Sequence, residues 1–245
     1  MTIVFVALYS FVCSILLGVE TRPIATFSIV ARDLQTKEMG VAVQSKFIAV
    51  GSVVPYGQAG VGVIATQAFA NPLYGSIGLD LLISGKSANE ALSLLIEVDP
   101  LRERRQAAIL GIEGNASVHT GIGCLDWAGS RTGKNHAVLG NLLVGPHVVE
   151  EMSVEFEKAQ GTLAERMISS LHAGQKAGGD RRGRQSAALL IVRKGWGYGG
   201  LTDRFRDLRV DDHEKPIEEL ERIYQLHRKT FPRPNWIDHN VTEPP

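Results

Sequence analysis

The chain has no excess of charge of either sign. Its 245 residues include 26 basic and 26 acidic side chains, and the one dense basic stretch, Arg181 to Arg184, is short. Proteins that bind the phosphates of nucleic acids need a positively charged surface, so we predict no nucleic-acid partner. Hydrophobic residues make up 44% of the chain. That share and the length are typical of one globular domain with at most a small appendage.

Cysteines and metal-binding motifs are equally scarce. The only cysteines are Cys13 and Cys124, and the first lies in an apolar N-terminal segment. Without that segment the chain could form no internal disulfide. We interpret Cys124 as a structural thiol rather than a nucleophile. No pair of histidines has the spacing of a zinc motif, so we predict neither a metal nor an organic cofactor.

The one long apolar run is at the N-terminus. It extends from Ile3 to Leu17 and resembles the hydrophobic region of a secretory signal peptide, although no basic residue precedes it. We predict that residues 1–25 are a leader removed after Ala25, which makes the protein secreted or periplasmic. Two alternatives stay open. One is cleavage near Gly18 followed by trimming, and the other is an uncleaved membrane anchor, because the run nearly reaches the ~18 residues that suggest a membrane span.

Groups of strands alternate with pairs of helices along the rest of the chain. Strands are predicted at 26–31, 40–45, 60–67, 105–112, 116–120, 136–143 and 185–192, and helices at 72–84, 87–97, 146–160 and 162–176. Asn71 is the predicted cap of the first helix, and Ser87 with Glu90 forms a capping box. Residues 127–134 are predicted to be a polar loop. The order lacks strict βαβ alternation, so we predict an α+β fold with mostly antiparallel sheets.

The composition changes near residue 200. A turn-rich stretch from Gly195 to Gly200 is followed by a charged helix, roughly Pro216 to Lys229, and then by a tail that contains four prolines. We therefore divide the chain into a leader (1–25), a main domain (26–200), a helical C-terminal segment (201–231) and a disordered tail (232–245).

The first strand begins with a threonine that leader removal would place at the start of the mature chain. An N-terminal threonine supplies a nucleophilic hydroxyl and also a base, its own α-amino group. That amine has a pKa of about 7.7–8.0, so part of it is neutral near pH 7. A threonine at the start of a strand is also ordinary, because threonine favours strands. Thr26 is therefore a candidate nucleophile chiefly because of the leader that precedes it.

Several phrases of the sequence together resemble one family. They are T-F-S-I-V-A-R-D from Thr26, G-V-A-V-Q-S-K-F from Gly40, G-V-G-V-I-A-T-Q from Gly60, H-T-G from His119, G-N-L-L from Gly140, A-G-G-D-R-R-G-R-Q-S-A-A-L from Ala177 and D-L-R-V-D-D-H from Asp207. From Thr26 to about Leu226 the chain resembles the domain of unknown function 1028 family, which is grouped with the Ntn-hydrolases. The resemblance implies a four-layer α-β-β-α sandwich of two antiparallel sheets, with a nucleophile at the first residue of the first strand.

Four residues are candidates for catalysis. Thr26 is the candidate nucleophile. The first hairpin is similar to that of proteasome β-subunits, whose second strand carries polar catalytic support. Gln44, Ser45 and Lys46 stand at the matching place, and Ser45 is the catalytic candidate among them. Asn141 is a candidate donor to the developing oxyanion, or else a buried asparagine that holds a turn. Asp180 is a candidate to hold the α-amino group or to orient an arginine.

Four further residues are candidates for substrate binding. Arg181 and Arg182 are suited to a substrate carboxylate, because a guanidinium binds it through two hydrogen bonds. An ion network that braces their loop is the alternative for both, and for Asp180. Ser28 lies on the same strand face as Thr26 and supports it, serves as the nucleophile if trimming differs, or is an ordinary strand residue. Gln67 ends a glycine-rich strand that another group can approach closely.

Two functional hypotheses follow. The first is an exported N-terminal-threonine amidohydrolase that acts on small amides or short peptides through an acyl-enzyme. The second is a catalytically inactive relative that binds a ligand or a component of the cell envelope. The C-terminal segment resembles part of a peptidoglycan-binding-like module, which favours association with the cell wall under either hypothesis. A free Thr26 amine distinguishes the two, and assembly into a homo-oligomer is left open.

Overall fold

The computed structural model describes residues 26–234, which form strands, helices and short connections. The strands are β1 (Thr26–Arg32), β2 (Met39–Ser45), β3 (Pro55–Gln58), β4 (Gly62–Ala68), β5 (Arg105–Gly111), β6 (Ser117–Thr120), β7 (Trp127–Thr132), β8 (His136–Leu143), β9 (Ser186–Val192) and β10 (Arg204–Val210). The α-helices are α1 (Leu73–Ile83), α2 (Ala88–Val98), α3 (His147–Lys158), α4 (Leu163–Lys176) and α5 (Pro216–Thr230). The predicted leader and the part of the predicted tail at 235–245 lie outside the described residues.

The strands form two sheets in which every pair is antiparallel. The larger sheet has the order β10-β9-β2-β1-β8-β7, and the smaller has the order β3-β4-β5-β6. The α+β class with two antiparallel sheets is therefore confirmed. β1 is a central strand of the larger sheet, with β2 and β8 on its two sides. This position matters because the first residue of β1 is Thr26.

Three apolar cores hold the sheets and helices together. Alternate residues of β1 divide between two of them: Val30 faces the core between the two sheets, and Phe27 and Ile29 face the core beneath α3, α4 and α5. The third core lies between the smaller sheet and the helices α1 and α2, where Tyr74 and Leu92 are buried. Thr26 and Ser28 alternate with Phe27, so they face the smaller sheet.

The helix starts follow the local signals in the sequence. The side-chain oxygen of Asn71 accepts a hydrogen bond from the backbone of Leu73 at 3.1 Å. The side chains of Ser87 and Glu90 form the predicted capping box at the start of α2. Both interactions satisfy backbone N–H groups that the first turn of a helix leaves without partners.

None of the helices in residues 26–234 combines the length and the apolar character that a membrane span requires.

Three strands differ from the sequence prediction. The first, β3, is a short edge strand that pairs with β4 and was not predicted. Residues 127–132 form β7, where we predicted a loop, because they pair with the outer edge of β8. β10 was not predicted, because four of its seven residues are charged. Its Phe205, Leu208 and Val210 are nevertheless buried. An edge strand needs only one apolar face, so tertiary pairing outweighs the polar composition of β7 and β10.

The C-terminal segment is continuous with the larger sheet. Residues from 201 onward were assigned to a separate helical segment, but β10 pairs with β9 along its length and α5 packs against both strands. Ile217, Leu220 and Tyr224 of α5 join the core beneath the larger sheet. Arg233 extends this contact, because its guanidinium lies 2.8 Å from the buried carboxylate of Glu38.

His136 makes the stability of this fold depend on pH. Its ring is buried, with Nε2 at 2.8 Å from the hydroxyl of Ser153, and burial lowers its pKa despite the nearby carboxylate of Glu157, with Arg166 and Arg131 lowering it further. The unfolded chain therefore takes up a proton near pH 6.5, where folded His136 stays neutral. The free energy of unfolding is expected to fall below that pH, by up to about 1.4 kcal/mol per pH unit from this group alone.

Chemical denaturation of wild type and His136→Gln at pH 7.5 and 5.5 measures this contribution. The variant is expected to lose less stability between the two pH values than the wild type does. His147→Gln is the control, since His147 is exposed at the start of α3. An equal loss in wild type and His136→Gln would contradict the assignment.

Candidate active site

Thr26 lies between two polar residues of the neighbouring strands. The register of the larger sheet pairs it with Ser45 on β2 and with Asn141 on β8. The hydroxyl of Thr26 donates to the hydroxyl of Ser45 at 3.2 Å. All three residues are at most 1% exposed. The structure thus brings together three residues that sequence reasoning selected separately.

A second row of polar residues faces this one from the smaller sheet. It consists of Gln67 on β4, Gln106 on β5 and Thr120 on β6, which are directly paired across their strands. The hydroxyl of Ser28 donates to Oε1 of Gln67 at 2.6 Å. Gln67 in turn donates through Nε2 to Oε1 of Gln106 at 2.8 Å. Ser28 and Gln67, which were predicted to bind substrate, are therefore fully buried members of a network between the sheets.

Gln106 is the centre of this network, and sequence reasoning missed it. Its Oε1 accepts from the side-chain amides of both Gln67 and Asn141, the second at 3.1 Å. Its Nε2 lies 2.8 Å from the backbone oxygen of Gly140. These contacts define the orientation of all three amides, because a carboxamide accepts only through oxygen and donates only through nitrogen. The signal in the sequence was a glutamine directly before the apolar run Ala107 to Leu110.

Gly140 lies where β8 packs closely against the start of β1 within the larger sheet. A Cβ atom on Gly140 would lie 2.4 Å from Cδ1 of Leu143 and 3.1 Å from the backbone oxygen of Thr26. Any larger residue would therefore push against the start of β1. The glycine keeps Thr26 close to β8 and leaves the carbonyl of residue 140 open to Gln106.

Two of the five non-glycine residues with positive φ in the described part of the chain lie beside the network. Ala68 follows Gln67 with φ at 64°, and Leu142 follows Asn141 with φ at 55°. Residues other than glycine rarely adopt this left-handed conformation, which costs on the order of 1–3 kcal/mol and is often retained at functional sites. In both cases the strained residue turns the chain directly after a network amide.

Asp180 connects the end of β2 to the loop that precedes β9. Its Oδ2 accepts from the backbone N–H of Lys46 at 3.1 Å, and its side chain is fully buried. Asp180 also forms an isolated bridge with Leu143 at the end of β8. The carboxylate is thereby held near the end of the sheet that contains Thr26, because Lys46 directly follows the pairing partner of Thr26.

The two predicted substrate-binding arginines make ion pairs within the protein. Arg182 donates to Asp180 through Nε at 3.2 Å and through Nη2 at 2.9 Å. Arg181 lies 3.3 Å from the carboxylate of Asp126, and both side chains are about half exposed. These contacts match the alternative in which the arginines brace their loop. They favour that interpretation over direct capture of a substrate carboxylate.

Cys124 is a partly buried thiol that is hydrogen-bonded within the protein. Burial raises the pKa of the Cys124 thiol, and its sulfur lies 3.4 Å from the backbone oxygen of Arg105. A raised pKa disfavours the thiolate, which is the reactive form. Over residues 26–234 the side chains form no group of three or more His, Cys, Asp or Glu that is suited to a metal ion.

The architecture and the site define a class of protein: an α+β fold of two antiparallel sheets whose central strand starts at a buried threonine. The chain belongs to a family of unknown function (DUF1028), whose family model matches residues 26–220. It is similar to a protein from Silicibacter pomeroyi whose crystal structure carries the same family designation, with 30% sequence identity and a TM-score of 0.75. That similarity covers 83% of this chain and 89% of the other. No curated protein matches the chain.

Proposed function

We propose that this protein is an N-terminal-threonine amidohydrolase that acts on small amides or short peptides. Under this proposal the two sheets and their helices are the four-layer α-β-β-α sandwich of an Ntn-hydrolase. The observation that carries the proposal is the hydrogen bond from Thr26 to Ser45, at the first residue of a central strand and inside a buried polar network.

In the proposed reaction, the Thr26 hydroxyl oxygen attacks the carbonyl carbon of the amide. The hydroxyl proton passes to the α-amino group of Thr26, which is the only base that the mechanism needs. That amine then protonates the departing nitrogen, the C–N bond breaks, and an ester on Thr26 remains. A water molecule, deprotonated by the same amine, attacks the ester, which releases a carboxylic acid and restores the hydroxyl.

The surrounding side chains have supporting roles under this proposal. Ser45 orients the Thr26 hydroxyl through the contact at 3.2 Å. Asn141 is held beside Thr26 by Gln106 and supplies an amide N–H to the developing oxyanion. Asp180 lies near the end of the same sheet and stabilises the amine once it has taken up the hydroxyl proton.

The mechanism requires removal of the leader, which would place the mature protein outside the cytoplasm. While residue 25 is attached, the nitrogen of Thr26 is an amide and cannot act as a base. Thr26 is also completely buried in the full-length chain. This burial favours the alternative, a ligand-binding protein without catalysis, for any form that retains the leader.

Intact mass and N-terminal peptide sequencing of protein from its native compartment test this requirement. The mature chain is expected to begin at Thr26 with a free amine, and an Ala25→Pro variant is expected to accumulate unprocessed. Chains that begin at Ile24, at Ala25 or further upstream would count against catalysis and in favour of the binding alternative.

A further inference from the structure

A charged cavity lies beside the end of the strand that pairs with Thr26. The backbone N–H of Gln185 donates to the carbonyl of Ser45 at 3.0 Å, and that of His213 donates to the carbonyl of Gln185 at 2.8 Å. Lys46, Gln185 and His213 all border a cavity of about 390 Å³. The cavity therefore starts one residue beyond the contact between Thr26 and Ser45.

The cations that line this cavity are available to a ligand. Lys46 and Lys215 are exposed, and within the described residues neither ammonium group is paired with a carboxylate. Arg184 also borders the cavity and lies 3.5 Å from Glu218 at its outer side. Two acids line the cavity as well, Asp212 and Glu214, of which Asp212 accepts from the amide of Gln185 at 3.0 Å.

The distance between Thr26 and the cavity limits how far the charged group of a substrate can lie from its scissile amide. Adjacent strands lie about 4.8 Å apart, so the cavity lies one to two strand spacings, roughly 5–10 Å, from the strand of Thr26. An extended chain spans about 3.3–3.6 Å per residue. A group bound in the cavity would therefore lie about one to three residues from an amide at Thr26.

We propose that this cavity binds the carboxylate of an acidic substrate, a short peptide or acylated amino acid whose negative charge lies about one to three residues from the scissile amide. Lys46 and Lys215 supply the positive charge, and Glu214 opposes it. The role of this cavity in catalysis rests on the proposed hydrolase function. The cavity replaces Arg181 and Arg182 as the carboxylate-binding groups, because those guanidinium groups are paired with Asp126 and Asp180.

Calorimetry with two matched peptides tests the cavity separately from catalysis. The probes are N-acetyl-Ala-Ala-Glu-amide and N-acetyl-Ala-Ala-Gln-amide, which differ only in the charged group. The proteins are wild type and Thr26→Ala, each alone and combined with Lys46→Gln, Lys215→Gln or Glu214→Gln. Lys194→Gln is the control, since it removes an exposed lysine that follows the opposite end of β9.

The glutamate peptide is expected to bind more tightly than the glutamine peptide. Lys46→Gln and Lys215→Gln are each expected to weaken its binding about 2- to 5-fold, as for an exposed charge pair. Glu214→Gln is expected to strengthen binding, and Lys194→Gln to leave it unchanged. Equal affinity for the two peptides, no binding of either peptide, or no effect of either lysine substitution would overturn the proposal.

Calorimetry together with electrophile labelling of Thr26 separates the two proposals from each other. If the protein binds the glutamate peptide more tightly but Thr26 does not react with an electrophile, the anion site is supported and the hydrolase proposal is refuted. If Thr26 reacts but the two peptides bind equally, the hydrolase proposal is supported and the proposal of an acidic substrate is refuted.

Discussion

Replacing Thr26 with alanine is expected to abolish covalent labelling of the processed protein by an amide-mimicking electrophile such as a β-lactone. The variant lacks the proposed nucleophile, which is the hydroxyl of the same residue whose α-amino group is the proposed base. Loss of a nucleophile of this kind lowers the rate by on the order of 10³-fold or more. Thr26→Ser keeps the hydroxyl and is expected to retain a measurable labelling rate.

Mass spectrometry of labelled peptides measures the result and identifies the modified residue. Thr132→Ala is the matched control, because Thr132 is an exposed threonine near the far end of β7. Each variant should also be unfolded with denaturant, because Thr26 is completely buried and its loss carries a cost in stability. A label that persists on a folded Thr26→Ala protein, or that lies on Ser28, would refute the assignment of the nucleophile.

Replacing Gln106 with alanine is expected to be among the most destabilising single changes to the polar network. It removes the acceptor of the Gln67 and Asn141 amides and the donor to the carbonyl of Gly140. Each buried polar group that loses its partner costs about 1–3 kcal/mol. The free energy of unfolding is therefore expected to fall by roughly 3–5 kcal/mol.

Equilibrium denaturation of wild type, Gln106→Ala and the control Gln160→Ala measures this effect. Gln160 is exposed, so its replacement is expected to change stability by less than about 0.5 kcal/mol. Asn141→Ala and the double variant complete a cycle. The double variant is expected to lose less stability than the two single variants added together, because each single change already breaks the shared bond. Full additivity would contradict a direct bond between the two side chains.

Local signals explain which parts of the fold were predictable. The first hairpin follows from alternating β-branched residues around a polar turn, and helix α2 begins at the capping box of Ser87 and Glu90. Each of these signals acts over a few residues, so a reading of the sequence captures it. The edge strands β7 and β10 lack such a signal and form because a neighbouring strand offers free backbone groups.

The residues of the candidate site also divide into those that the sequence predicted and those that only the structure revealed. Thr26, Ser45, Asn141 and Asp180 were selected by residue type and by resemblance, and the structure places them near one end of the larger sheet. Gln106 was missed, because its role depends on contacts with Gln67 and Asn141, which are 39 and 35 residues away in sequence. The partners of Arg181 and Arg182 also became evident only from the folded loop.

The sequence by itself predicted most of the strands and the five α-helices of residues 26–234, and it contained the apolar N-terminal run and the threonine at the start of the first strand. Only the tertiary structure decided what surrounds that threonine: the hydroxyl of Ser45, the amide network of Gln106 and the cavity beyond Lys46. The physical reason is that strand propensity and helix caps act between near neighbours in the chain. The pairing of buried polar groups instead depends on which strands the folded sheets place side by side.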